Sequence, residues 1–112
     1  MRIFHFTEQP YPDAWDQPYV RVDIANEHCD PDVASRLYNR YLDEYVLADE
    51  LGFDVMVNEH HSTATCMVPS VNLMLGILAR QTRKARIVAL GVPIANRPDP
   101  LRVAEELSMV DV

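Results

Sequence analysis

Short apolar runs alternate along this chain with longer stretches whose apolar residues recur every three or four positions. Arg2 to Phe6 (RIFHF), Phe53 to Val57 (FDVMV) and Ile87 to Val92 (IVALGV) are runs of the first kind. Their length and enrichment in branched and aromatic residues predict buried strands. Between the first two, Ala34, Leu37, Tyr41, Tyr45, Ala48 and Leu51 form one stripe at helical spacing. Asp30-Pro31 opens that helix, with Asp as the cap and Pro at the first helical position, where a missing N–H costs nothing. Gly52 closes it, since glycine takes the left-handed conformation without strain. A second helix is predicted near Ser70 to Thr82, with Leu73, Ile77 and Leu78 among its apolar positions. Asp99-Pro100 repeats the helix-opening dipeptide before Leu101, Ala104, Glu105 and Leu107.

The order is thus strand, helix, strand, helix, strand, helix, with no hairpin signal between strands, and a parallel sheet follows. Such a sheet needs cover on both faces, and three strands with helices on one side leave the other face and both edges open. The expected architecture is α/β: the opening three βα units of a larger barrel or doubly wound fold, cut short. The three glycines, Gly52, Gly76 and Gly91, belong to no dinucleotide or P-loop pattern. Polar residues cluster instead after each strand: Thr7 and Glu8, then Asn58, Glu59, His60 and His61, then Asn96 to Asp99. That distribution favours a (β/α)8 barrel, whose chemistry gathers at the carboxyl ends of its strands.

Thr7 to Asp30 is rich in Pro, Asp and aromatic residues and has no helical or alternating period. Loops of that length in a compact domain are usually functional or disordered. Tyr11, Trp15, Tyr19 and His28 provide enough surface for this one to cover a site.

Composition narrows the partners. The 112 residues are 48% hydrophobic and 24% charged, an ordinary globular mixture. A net charge of −7 argues against a nucleic-acid surface, and the one basic cluster, Arg80, Arg83, Lys84 and Arg86, suits a helix end. No apolar run approaches the roughly 20 residues that cross a bilayer, and no secretory signal opens the chain. A cytoplasmic protein without membrane contact is expected. Cys29 and Cys66 read as two reduced thiols. No metal site is expected from Glu59, His60, His61, His5 and His28, because neither HxH nor HExxH spacing is present.

The segments ADELGFDVMVNEHH, from Ala48 to His61, and GVPIANRPDPLRVAEELSMVDV, from Gly91 to Val112, together resemble the amino-terminal third of the bacterial-luciferase-like, flavin-dependent monooxygenases. The resemblance spans nearly the whole chain. It implies that residues 1–112 are the truncated amino-terminal part of a luciferase-like TIM barrel domain of roughly 250 residues or more, covering about three of its eight βα units.

The resemblance also assigns roles. His60 matches a histidine beside the flavin ring and becomes the candidate catalytic acid/base and hydroperoxide-stabilising residue, since an imidazole exchanges protons near neutral pH. Gly91 and Val92 match a cofactor-side bulge at the end of the third strand, where the family often carries a non-proline cis peptide. Glu59 is placed on the cofactor side, able to orient an imidazole through its second nitrogen, while His61 and Phe6 are placed on the substrate side. The implied cofactor is reduced FMN, supplied by a partner flavin reductase, acting on a small organic substrate. Two alternatives stand beside this reading: hydride transfer with deazaflavin F420 on the same fold, and a non-catalytic half-barrel that needs a partner. At full length a homo- or hetero-oligomer is expected.

Overall fold

The computed structural model describes residues 1–112. Three short parallel strands, β1 (Phe4–Phe6), β2 (Asp54–Val57) and β3 (Ile87–Ala89), pair in the order β1-β2-β3. Helices α1 (Pro31–Glu50), α2 (Val71–Gln81) and α3 (Pro100–Asp111) follow the strands in turn. The register sets His5, Val55 and Ile87 in one row, with Phe6, Met56 and Val88 in the next. Because side chains alternate across a strand, these rows face opposite sides.

One side is the core. Val55 and Val57 are fully buried there against Tyr45 and Ala48 of α1 and Val71, Met74, Leu75 and Leu78 of α2, with Ile87 and Ala89 closing it at β3. The opposite side, carrying Phe4, Phe6, Met56 and Val88, has no fully buried residue. β2 is therefore covered on one face only, where its apolar run suggested two. Met56, expected in the core, lies on the open side.

Asp30 caps α1 by accepting from the N–H groups of Asp32 and Val33 at 2.8 and 3.2 Å. Asp99 caps α3 in the same way through Leu101 and Arg102. Both follow from the Asp-Pro dipeptides. The α1 stripe is buried at Tyr41, Tyr45 and Ala48, but Leu51 lies beyond the last helical residue and is exposed. Asp49 is buried in its place, because it accepts three backbone N–H groups, from Arg83, Lys84 and Ala85, at 2.6 to 2.9 Å. On α2 the predicted Leu78 is buried, whereas Leu73 and Ile77 face outward and Val71, Met74 and Leu75 carry the core.

Thr7 to Asp30 is not featureless. It contains two single 3-10 turns, Pro12–Ala14 and Asn26–His28, and Tyr11 and Ala14 pack with Ala64 in a second small core. Tyr11 N–H donates to the Ala64 carbonyl, Ile24 N–H to Ser62, and Ala64 N–H to Val20, so this loop is stitched to the segment after β2.

Candidate functional site at the carboxyl ends of the strands

Asn58 to His61 leave the carboxyl end of β2 and split by burial. Asn58 and Glu59 are buried, and His60 and His61 are exposed. The turn out of the sheet is fixed by His60 N–H donating to the Val68 carbonyl at 3.0 Å. Ser62 then takes φ +50°, a left-handed conformation that costs a side-chain-bearing residue energy. Gln9, after β1, does the same at φ +52° while completely buried.

Glu59 is the centre of the rim. Its carboxylate is completely buried, and Oε2 accepts from the backbone N–H of Val71, the first residue of α2, at 2.9 Å and from Arg97 Nη2 at 2.5 Å. Oε1 lies 3.0 Å from His61 Nε2. Three consecutive units are thereby tied together: the end of β2, the start of α2 and the loop after β3. The imidazole it meets is that of His61, not His60.

His60 stands apart. Its Nδ1 lies 3.6 Å from Glu8 Oε2, a separation too long for a hydrogen bond, and both side chains are about half exposed. His60 also lines a cavity of about 240 Å³ between the Thr7 to Asp30 loop and the segment after β2. Tyr11, Ile24 and Met67 give that cavity apolar walls, and His28, Cys29 and Thr63 add polar groups.

Beneath the rim, Tyr45 reaches from α1 to the sheet. Its hydroxyl donates to the Met56 carbonyl at 3.0 Å, Gln9 Nε2 donates to it at 3.3 Å, and His5 packs edge-on against its ring. Burial pushes the Tyr45 hydroxyl up to about 12. Cys66 is buried beside Asn58, and burial likewise pushes its thiol up. It is an inert core thiol in this setting.

Phe6 is partly exposed on the open side of the sheet. Gly91 and Val92 follow β3, with Val92 packed against the main core. The Gly91–Val92 peptide is trans, as are all others in the chain. A side chain built at Gly91 would meet nothing within 4 Å, so the rim beside it is open. Sequence reasoning did not find Arg97 as the partner of Glu59 or Glu8 as the neighbour of His60. Arg97 left one usable signal, being the only cation in the polar segment after the third strand.

No family model matches the chain. It is 36% identical over 89 residues to the uncharacterized protein y4wF of Sinorhizobium fredii (strain NBRC 101917 / NGR234), an alignment covering 76% of this chain and 25% of that protein. Among solved structures it is similar to the oxygenating constituent of 3,6-diketocamphane monooxygenase from the CAM plasmid of Pseudomonas putida, a type II Baeyer-Villiger monooxygenase in complex with FMN. That likeness has a TM-score of 0.64 at 17% identity and covers 98% of this chain and 25% of that one. The chain therefore spans about a quarter of the length of each. The similarity shows a shared fold: an α/β arrangement on a three-stranded parallel sheet.

Proposed function

We propose that this chain supplies the amino-terminal part of a flavin-dependent oxygenase of the luciferase-like kind, a barrel in which reduced FMN and oxygen act on a small organic substrate. One observation carries the reading: nearly the whole chain superposes on part of an FMN-containing monooxygenase, and its own rim sets a half-exposed imidazole, His60, beside a cavity.

The residues present fit one side of a flavin and not the other. On the cofactor side the rim offers an open surface at Gly91 and the proton-carrying ring of His60. Arg97, the arginine of the loop after β3, is committed to Glu59, so Gly91 and His60 provide a wall for the ring and no anchor for a phosphate. In a barrel such anchors come from the loops after the last two strands. FMN would supply the reducing equivalents and the site of oxygen activation.

His60 holds or releases a proton at Nε2, the ring nitrogen that does not face Glu8. Gly91 and Val92 border the cofactor, and Phe6 and His61 stand on the substrate side. The cavity of about 240 Å³ beside His60 lies below the roughly 300 to 1,000 Å³ of a drug-sized pocket, and neither Phe6 nor His61 lines it. A flavin reductase as supplier of reduced FMN, an oligomeric full-length protein and a cytoplasmic setting belong to the same proposal.

Flavin binding tests it. Quenching of FMN fluorescence by the full-length protein that contains this chain, weakened by His60→Ala, together with oxygen-dependent substrate conversion, is the expected result; the 112 residues alone, without the phosphate anchor, are expected to be inactive. Turnover with reduced F420 in the absence of oxygen would replace this reading with hydride transfer. Failure to bind either cofactor would leave the non-catalytic half-barrel.

A further inference from the structure

The proposed function rests on His60, yet the better-held imidazole at the rim is His61. The two side chains are almost equally open to solvent, at 47% and 44%. Their partners differ. Glu8 is itself half exposed and 3.6 Å from His60, whereas the Glu59 carboxylate is fully buried and 3.0 Å from His61.

We propose that Glu59 is a positioning residue for His61, fixing the ring with its proton on Nε2 and presenting Nδ1 to the rim as a preoriented proton acceptor. Oε2 of Glu59 is already occupied by Arg97 and the Val71 N–H, which leaves Oε1 for the imidazole. A carboxylate accepts and cannot donate, so the nitrogen facing it carries the hydrogen. In the neutral ring Nδ1 then bears the lone pair.

The carboxylate cannot swing away to release the ring, because the first turn of α2 and the loop after β3 both hold it. A base oriented by a buried carboxylate is the arrangement that activates nucleophiles and abstracts protons in unrelated enzymes. When Nδ1 takes a proton, the donor keeps the bonding pair as its conjugate base. The ring becomes an imidazolium whose Nε2–H still points at Glu59. His60 lines the cavity and His61 does not, so the two rings serve different spaces. This inference goes beyond the flavin reading and holds or fails without it.

The test is carbethoxylation of the intact folded protein by diethyl pyrocarbonate, followed residue by residue with peptide mass spectrometry. The reagent attacks an unprotonated imidazole nitrogen, preferably the less hindered Nε2. His60 is expected to react about tenfold faster than His61, the effect of one hydrogen bond to a charged group. Exposure cannot produce that gap. In Glu59→Gln the amide must turn its one oxygen toward Val71 and Arg97 and its NH₂ toward the ring, so Nε2 exchanges its hydrogen for a lone pair held only by a neutral donor, and His61 should react faster than in the unaltered protein while His60 stays constant. Arg97→Lys, which keeps a cation on the carboxylate, should leave His61 protected.

Equal rates in the unaltered protein, or a His61 still slow in Glu59→Gln, would overturn the proposal. Should Glu59→Gln not fold, nitrogen-15 imidazole spectra of the unaltered protein decide. A slowly exchanging His61 Nε2–H supports the proposal, and a proton on Nδ1 sinks it. FMN binding is read separately, so the failure of either idea is recognisable.

Discussion

Two buried carboxylates fasten this fold, one at each end of the sheet, and they are built for different ends. Asp49, in the last turn of α1, accepts only backbone N–H groups, from Arg83, Lys84 and Ala85 on the approach to β3. Glu59, just beyond β2, accepts one backbone N–H and two side chains, Arg97 and His61. The amino end meets its need for a left-handed residue with Gly52, at φ +82°, whereas the carboxyl rim places Gln9 and Ser62 at φ +52° and +50°. The lower end is relaxed and closed on itself. The upper end carries strain and polar side chains that reach solvent, as expected at the carboxyl end of a parallel α/β sheet.

The sharpest way to break this contrast is to remove each anchor in turn. Asp49→Ala leaves three N–H groups without an acceptor and is expected to cost on the order of 3 kcal/mol in urea unfolding. The reactivity of His60 and His61 should not change. A rim that responded to Asp49→Ala in the folded protein would show that the two ends are not separate. Arg97→Met should cost less, about 1 to 2 kcal/mol, because Arg97 is partly exposed and Glu59 keeps its other partners. Its effect should appear at the rim, as faster hydrogen exchange of the Val71 amide.

The pH dependence separates the ends as well. Burial by itself would raise the Asp49 carboxyl, but the three N–H groups outweigh it and hold the group below its ordinary 3.8. A depressed folded-state value means stability that is present above 3.8 and lost as pH falls through the lowered value. Acid unfolding of Asp49→Asn should lack that steep component. Tyr45 acts at the opposite limit. Its hydroxyl, raised from 10.0 to about 12 by burial, adds stability that is fully present below pH 10 and is lost as pH rises toward 12. Tyr45→Phe should remove this alkaline slope, at a cost of about 1 kcal/mol near neutrality for the lost hydrogen bonds. Alkaline unfolding followed by circular dichroism would read it.

The smallest effect is expected at Ser62. Glycine adopts positive φ freely, so Ser62→Gly should raise the midpoint of urea unfolding by the equivalent of about 0.5 kcal/mol. Gly52→Ala, at the other end, should lower it by about 1 kcal/mol. Equal signs for the two substitutions would contradict the division between a strained rim and a relaxed base.

Much of this was legible along the chain. Both Asp-Pro helix starts, the Gly52 stop, the three strands and their parallel order follow from local patterns, because caps and backbone preferences act within a few residues. The position of Glu59, His60 and His61 at a strand end was legible for the same reason. Their partners were not. Arg97 is 38 residues from Glu59 and the amides held by Asp49 are 34 to 36 residues away. Leu51, Leu73 and Ile77 matched a helical period yet face solvent, because a period of 3.6 leaves open which flank of a stripe meets the sheet.

The sequence by itself determined the alternation of strand and helix, the helix ends and the presence of two imidazoles where β2 leaves the core. These depend on interactions between near neighbours in the chain. Only the tertiary structure decided which imidazole is held by a buried carboxylate and which stands beside a cavity. That choice depends on the packing of α2 and the loop after β3 around one side chain, which only the folded sheet brings within hydrogen-bonding reach.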